Sequence, residues 1–158
     1  MILMTRKESY QMVIEAEIRA QMLYHSLARS FRNPETSAVF QELVMLEKTH
    51  EEGIRKAYAA EFAGEEPVIK PQVEVELKDV NLKEPLEVLE FAMGREDIAR
   101  SAYLQMADAS DDADLKALLI SFADQEDQHK QLIQAEIQRL QGSMIWFDPS
   151  ELTGLMED

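Results

Sequence analysis

Residues 91–129 read FAMGREDIARSAYLQMADASDDADLKALLISFADQEDQH, and two amphipathic helices lie in that stretch. Apolar side chains recur along it at three-and-four spacing. Met93, Glu96, Ala99 and Tyr103 fall on one stripe, and Leu115, Leu119, Phe122, Glu126 and His129 on a second. Asp111-Asp112 breaks the pattern and favours a new helix start, where acidic side chains suit the helix dipole. Glu96, Glu126 and His129 are ionisable, yet each stands among apolar neighbours on a stripe that must face a core. Glu126 and His129 are three residues apart and share one helical face.

The same pattern stands 79 positions earlier. That offset separates Glu17 from Glu96, Tyr24 from Tyr103, Glu47 from Glu126 and His50 from His129, and also Ala20 from Ala99 and Ala28 from Ala107. Two of only three histidines obey it, which chance explains badly. Two copies of a helical hairpin explain it simply.

Local signals place the helix ends. Thr5-x-x-Glu8 is a capping box for a first helix running to about Phe31. Asn33-Pro34 supplies an N-cap and an N1 proline for a second, which stops at Gly64. Pro85 starts a third that lasts to about Ser110, and the fourth ends at Gly142. The first stripe holds Tyr10, Val13, Glu17, Ala20, Tyr24, Leu27 and Phe31, the second Phe40, Leu43, Glu47, His50, Ile54 and Ala57. The third begins at Leu86 and Leu89, and the fourth runs on through Ile133 to Leu140.

A buried, unpaired carboxylate is costly and normally takes up a proton. Four that converge, with no lysine or arginine on the stripes, call for a cation. Two divalent ions against four carboxylates leave a neutral centre with both histidines uncharged. Glu47 with His50 and Glu126 with His129 are each expected to chelate one ion, while Glu17 and Glu96 bridge or complete the coordination. His25 fits no such position and is expected at the surface.

Residues 65–84, EEPVIKPQVEVELKDVNLKE, hold two prolines and a Val-Glu-Val-Glu-Leu alternation and read as extended chain. If helices two and three run parallel, the chain must return about 41 Å to bring Glu96 level with Glu47, and twenty extended residues reach about 66 Å. An up-down-up-down bundle needs no connection of that length. The expectation is one all-α domain over residues 1–158: hairpins at about 6–64 and 85–142, a crossover at 65–84, and a tail at 143–158. Trp146, Phe147, Leu152 and Leu155 make that tail a short amphipathic segment, expected either to cap the bundle or to dock a partner.

Composition narrows the partners. The chain of 158 residues carries a formal net charge of −15, which makes nucleic acid and anionic membranes poor partners. No apolar run approaches a membrane span, and MILMTRKESY lacks the apolar stretch of a signal peptide, so a cytoplasmic protein is expected. There is no cysteine, hence no disulfide, thiolate site or attached rubredoxin-type centre.

Glu-x6-Tyr, E-x-x-H, Glu-x6-Tyr, E-x-x-H resembles the pattern of the ferritin-like di-iron carboxylate proteins. Within that group residues 8–140 look most like the rubrerythrins, in the shorter erythrin type that lacks a rubredoxin domain. The resemblance implies a ferritin-like four-helix bundle with two iron ions held by Glu17, Glu47, His50, Glu96, Glu126 and His129. It makes Tyr24 and Tyr103 hydrogen-bond donors to the ligand carboxylates. Manganese or zinc suits the same donors. In one respect the chain departs from rubrerythrins with strong peroxide activity: Ala99 and Met93 stand where a second glutamate would flank Glu96.

The function implied is that of an oxidoreductase, reducing peroxide or dioxygen as Fe(II) is oxidised. An external donor such as a rubredoxin-like protein would restore the ferrous state. A ferroxidase and iron-storage subunit of a larger assembly is the alternative. A homo-oligomer, dimeric or larger, is the expected assembly.

Overall fold

Helix α1, Arg6–Ser30, begins at the capping box: the Glu8 N–H donates to Thr5 Oγ1 (3.1 Å) and the Thr5 N–H to Glu8 Oε2 (2.8 Å). Helix α2, Pro34–Glu61, begins where Asn33 Oδ1 accepts from the N–H groups of Glu35 (2.9 Å) and Thr36 (3.3 Å). It closes through Ala63 and Gly64, whose φ angles of 54° and 78° are both left-handed, and the Gly64 N–H returns to the Ala59 carbonyl (2.8 Å). Helix α3, Pro85–Asp108, has its proline in the first turn, where a missing N–H costs nothing. Helix α4, Ala113–Leu140, is capped by Asp112 Oδ1, which accepts from Asp114 (2.9 Å) and Leu115 (3.1 Å). The computed structural model describes residues 4–70 and 84–141.

Contacts between helices fix their directions. Along α1 and α2, Arg6 bonds Glu61 (2.7 and 2.9 Å), Gln21 bonds Glu51 (2.9 Å) and the Ser37 hydroxyl reaches the Ala28 carbonyl (2.6 Å), so the pair is antiparallel. Tyr24 bonds Glu96 and Tyr103 bonds Glu17, which makes α1 and α3 antiparallel. His50 meets Glu126 and His129 meets Glu47, which does the same for α2 and α4. Helices α2 and α3 are therefore parallel, and the chain between them must travel back along the bundle. It has begun to do so by Lys70, whose N–H donates to Glu15 Oε1 on α1 (3.2 Å). This is the ferritin-like crossover arrangement expected above. The Val-Glu-Val-Glu-Leu alternation and the apolar tail lie outside the described residues.

The core divides in two. Leu23, Leu27, Phe31, Phe40, Leu89 and Ile133 belong to one apolar cluster, and Tyr10, Ile14, Ile54, Tyr58, Leu119 and Phe122 to the other. The six ionisable stripe residues fall between these clusters in sequence along every helix. One stripe position differs from expectation: Leu86 is 40% exposed, and Val88 is fully buried instead. Leu86 sits in the first turn of α3. Among the described residues no helix is long and apolar enough to cross a membrane.

Candidate metal centre

Each helix delivers ionisable side chains to one buried layer. Glu17 comes from α1, Glu47 and His50 from α2, Glu96 from α3, and Glu126 and His129 from α4. None of the six is more than 3% exposed. His25 is exposed, as expected.

Their donor atoms form two overlapping groups, Glu17-Glu47-His50-Glu126 and Glu47-Glu96-Glu126-His129, each with its atoms within 4.8 Å of one another. The shared residues are Glu47 and Glu126, while Glu17 and Glu96 each belong to one group. Each group contains one complete E-x-x-H pair together with the glutamate of the other pair. His50 Nδ1 lies 2.6 Å from Glu126 Oε1 and 3.7 Å from Glu47 Oε2. His129 Nδ1 lies 2.7 Å from Glu47 Oε1 and 3.8 Å from Glu126 Oε2. The antiparallel crossing of α2 and α4 sets each histidine opposite the other motif's glutamate, so both glutamates stand between the two positions.

The phenols extend the layer. Tyr24 donates to Glu96 Oε1 and Tyr103 to Glu17 Oε1, each from one hairpin to the other. The remaining oxygens, Oε2 of Glu17 and of Glu96, are buried with no hydrogen-bond partner among the described residues. An orphaned buried polar atom costs about 1–3 kcal/mol, more when charged. A cation within each group would satisfy it, and no lysine or arginine of the described residues forms an ion pair with any of the six side chains.

Without a cation, two of the carboxyls favour keeping their protons. Burial, then the neighbouring Glu17 carboxylate, pushes Glu47 well above the usual range. Burial, then a hydrogen bond with Glu96, raises Glu126 likewise. Burial also works to raise Glu96, but bonds from Glu126, His129 and Tyr24 hold it below its ordinary value. For His129 burial favours the neutral ring, yet bonds to Glu47 and Glu96 outweigh it and raise the imidazole to about 9. His50 is raised despite burial by Glu17 and Gln125. Both phenols are pushed well above their ordinary value, first by burial and then by the carboxylates, so they stay protonated as donors. Four carboxylates and two imidazoles in a buried layer suit hard or borderline divalent ions.

Two neighbours escape sequence reading. The outer nitrogen of His50, Nε2, donates to Gln125 Oε1 (2.7 Å), and the Phe122 ring stacks on the imidazole at 4.4 Å. The signal is positional: Gln125 immediately precedes the glutamate of the opposing E-x-x-H. A cavity of about 200 Å³ opens between α1 and α3, lined by Ala16, Ala20, Ala99 and Ala102, with Glu17, Glu47, Glu96 and Glu126 also on its wall. Ala99, the departure noted in the sequence, helps keep this space open.

Comparison with known proteins agrees with this geometry. The family model for rubrerythrin matches residues 10–138. A hypothetical protein from Pyrococcus furiosus is 30% identical, with 86% of this chain and 90% of that one aligned at a TM-score of 0.74. An uncharacterized conserved protein from Magnetospirillum magnetotacticum MS-1 shares the fold at 24% identity, over 86% and 95% of the two chains, with a TM-score of 0.64. No curated protein matches.

Proposed function

Because this chain belongs to the rubrerythrin family, we propose that its buried layer holds two iron ions and supports the reduction of peroxide or dioxygen. Glu17, Glu47, His50 and Glu126 would hold one ion, and Glu47, Glu96, Glu126 and His129 the other. Two irons held there in the ferrous state would supply the two electrons that reduction of the oxidant takes. The observation that carries the reading is the pair of orphaned oxygens on Glu17 and Glu96, one in each group.

The chain's own residues divide the remaining work. Glu47 and Glu126 set the spacing, because each belongs to both groups. Tyr24 and Tyr103 fix the rotamers of Glu96 and Glu17 and keep one oxygen of each occupied. The cavity, with Ala16, Ala20, Ala99 and Ala102 on its wall beside Arg19 and Arg95, would admit a molecule the size of peroxide to the carboxylate layer. Reducing one hydrogen peroxide to two waters takes two electrons and two protons. An electron donor such as a rubredoxin-like protein would return the electrons. Manganese and zinc fit the same donors but only manganese shares the redox role.

Anaerobic loading with ferrous iron, metal analysis, and rapid mixing with peroxide or with dioxygen test this reading. The expected result is two irons per chain, with one peroxide consumed for every two irons oxidised. Binding of fewer than one iron per chain, or oxidation no faster than that of free ferrous ion, would overturn it.

A further inference from the structure

The 79-residue repeat makes the two halves of the centre directly comparable, and beyond the six ionisable residues they differ. His50 donates from Nε2 to Gln125 (2.7 Å) and carries Phe122 against its face at 4.4 Å, with an interplanar angle of 25°. The ring has room because residue 53 is glycine: a Cβ there would meet Phe122 Cζ at 2.8 Å. The positions equivalent to Gly53, Phe122 and Gln125 in the other half are Leu132, Leu43 and Leu46. Among the described residues nothing accepts a hydrogen bond from the outer nitrogen of His129. That imidazole borders a surface hollow between α2 and α4 whose wall includes Leu46 and Leu132.

The two histidines face their carboxylates through the same atom but are held by different means. A hydrogen bond to the far nitrogen fixes an imidazole's tautomer and rotation, and loss of such a partner typically lowers metal affinity about 10–100-fold. Here one half has both the bond and a stacked ring, and the other has aliphatic side chains that can offer neither. We propose that the halves are unequal by construction, with Gln125 as the positioning residue for His50. The first metal ion then binds in the group of Glu17, Glu47, His50 and Glu126, and the second binds more weakly beside His129. This rests on the proposal that the layer holds two metal ions.

Anaerobic calorimetric titration of the metal-free full-length protein with cobalt(II), alongside proton NMR of the cobalt-loaded form, tests it. Two binding steps separated by about tenfold or more are expected. At one equivalent, a single paramagnetically shifted imidazole N–H resonance should appear, protected from solvent exchange. Gln125→Leu should weaken the first step about tenfold and abolish that protection, leaving the second step in place. Leu46→Gln should give His129 a partner and strengthen the second step. That variant keeps the test decisive even where Gln125→Leu folds poorly, which thermal melting would reveal. Equal affinities in the unmodified protein, or an unchanged first step in Gln125→Leu together with an unchanged second step in Leu46→Gln, would overturn the asymmetry alone. Failure to bind any cobalt would overturn the metal centre and the asymmetry with it.

Discussion

The hydroxyl of Tyr103 on α3 donates to the carboxylate of Glu17 on α1, and the repeat reproduces the bond in reverse between Tyr24 on α1 and Glu96 on α3. Each hairpin thus steadies a carboxylate belonging to the other. Both of these phenols are buried, held protonated, and spent on a single acceptor.

Removing either hydroxyl should therefore be felt twice. Tyr103→Phe and Tyr24→Phe each leave a further buried oxygen without a partner, which costs about 1–3 kcal/mol. Urea denaturation of the metal-free protein should show a loss of that size for each variant. A loss below about 0.5 kcal/mol in both would mean that the bonds are not formed in solution, since a net hydrogen bond contributes at least that much.

Stability of the metal-free protein should fall as pH rises. Glu47 and Glu126 are raised above their ordinary value of 4.5, so the folded state keeps protons that the unfolded chain has lost. A state that binds more protons is favoured at lower pH, by about 1.4 kcal/mol per unit for each proton so retained. His129, raised from 6.5 to about 9, acts in the same direction: its contribution is full below 6.5 and is lost as pH passes 9. Glu96, lowered, opposes this trend only below 4.5. The metal-free protein should thus be more stable at pH 5 than at pH 8. The metal-loaded protein should show the opposite slope, because protons compete with the ions for the same atoms. Melting curves at both pH values, with and without chelator, check the two signs together.

Shared and unshared carboxylates should separate in metal stoichiometry. Glu47→Ala and Glu126→Ala remove a residue common to both groups and should abolish both binding events. Glu17→Ala and Glu96→Ala remove one member of one group each and should leave close to one ion bound. His25→Ala, at an exposed position, should leave two. Metal analysis after gel filtration reads all five, and equal losses for the four glutamates would contradict the sharing.

Gly53→Ala should destabilise the protein although it replaces glycine within a helix. The exchange gains about 1 kcal/mol of helix propensity, but the new methyl group collides with Phe122, and overpacking costs about 1–3 kcal/mol. A net loss in urea denaturation is expected. A net gain would mean that the Phe122 ring swings aside freely.

Much of this was legible in the sequence because the governing signals are local. Thr5 with Glu8, Asn33 with Pro34, Pro85 and Asp112 each define a helix start without help from the rest of the chain, and all four helices begin there. The six buried ionisable residues were legible for a different reason: a charge on an apolar stripe has few physical explanations, and the repeat supplies the same one twice. Which glutamates are shared was not legible, because it depends on how far α4 is shifted along α2. Gln125 was hidden for a related reason. On its own helix it is a polar residue beside the stripe, like any solvent-facing glutamine, and only the opposing helix gives it His50.

The division of donors between hairpins bears on how such a centre can arise. The group around His50 takes Glu17, Glu47 and His50 from the first hairpin and only Glu126 from the second; the group around His129 mirrors it, with Glu47 as the outsider. A lone hairpin with the Glu-x6-Tyr and E-x-x-H pattern would hold three of four donors and lack the last. Two identical hairpins related by a dyad would complete each other. A gene of half this length could thus build the whole layer by self-association, under the constraint that every residue serve both halves at once. Fusion of two copies into one chain lifts that constraint, and the divergence of Leu46 from Gln125 is a change that two identical hairpins could not make.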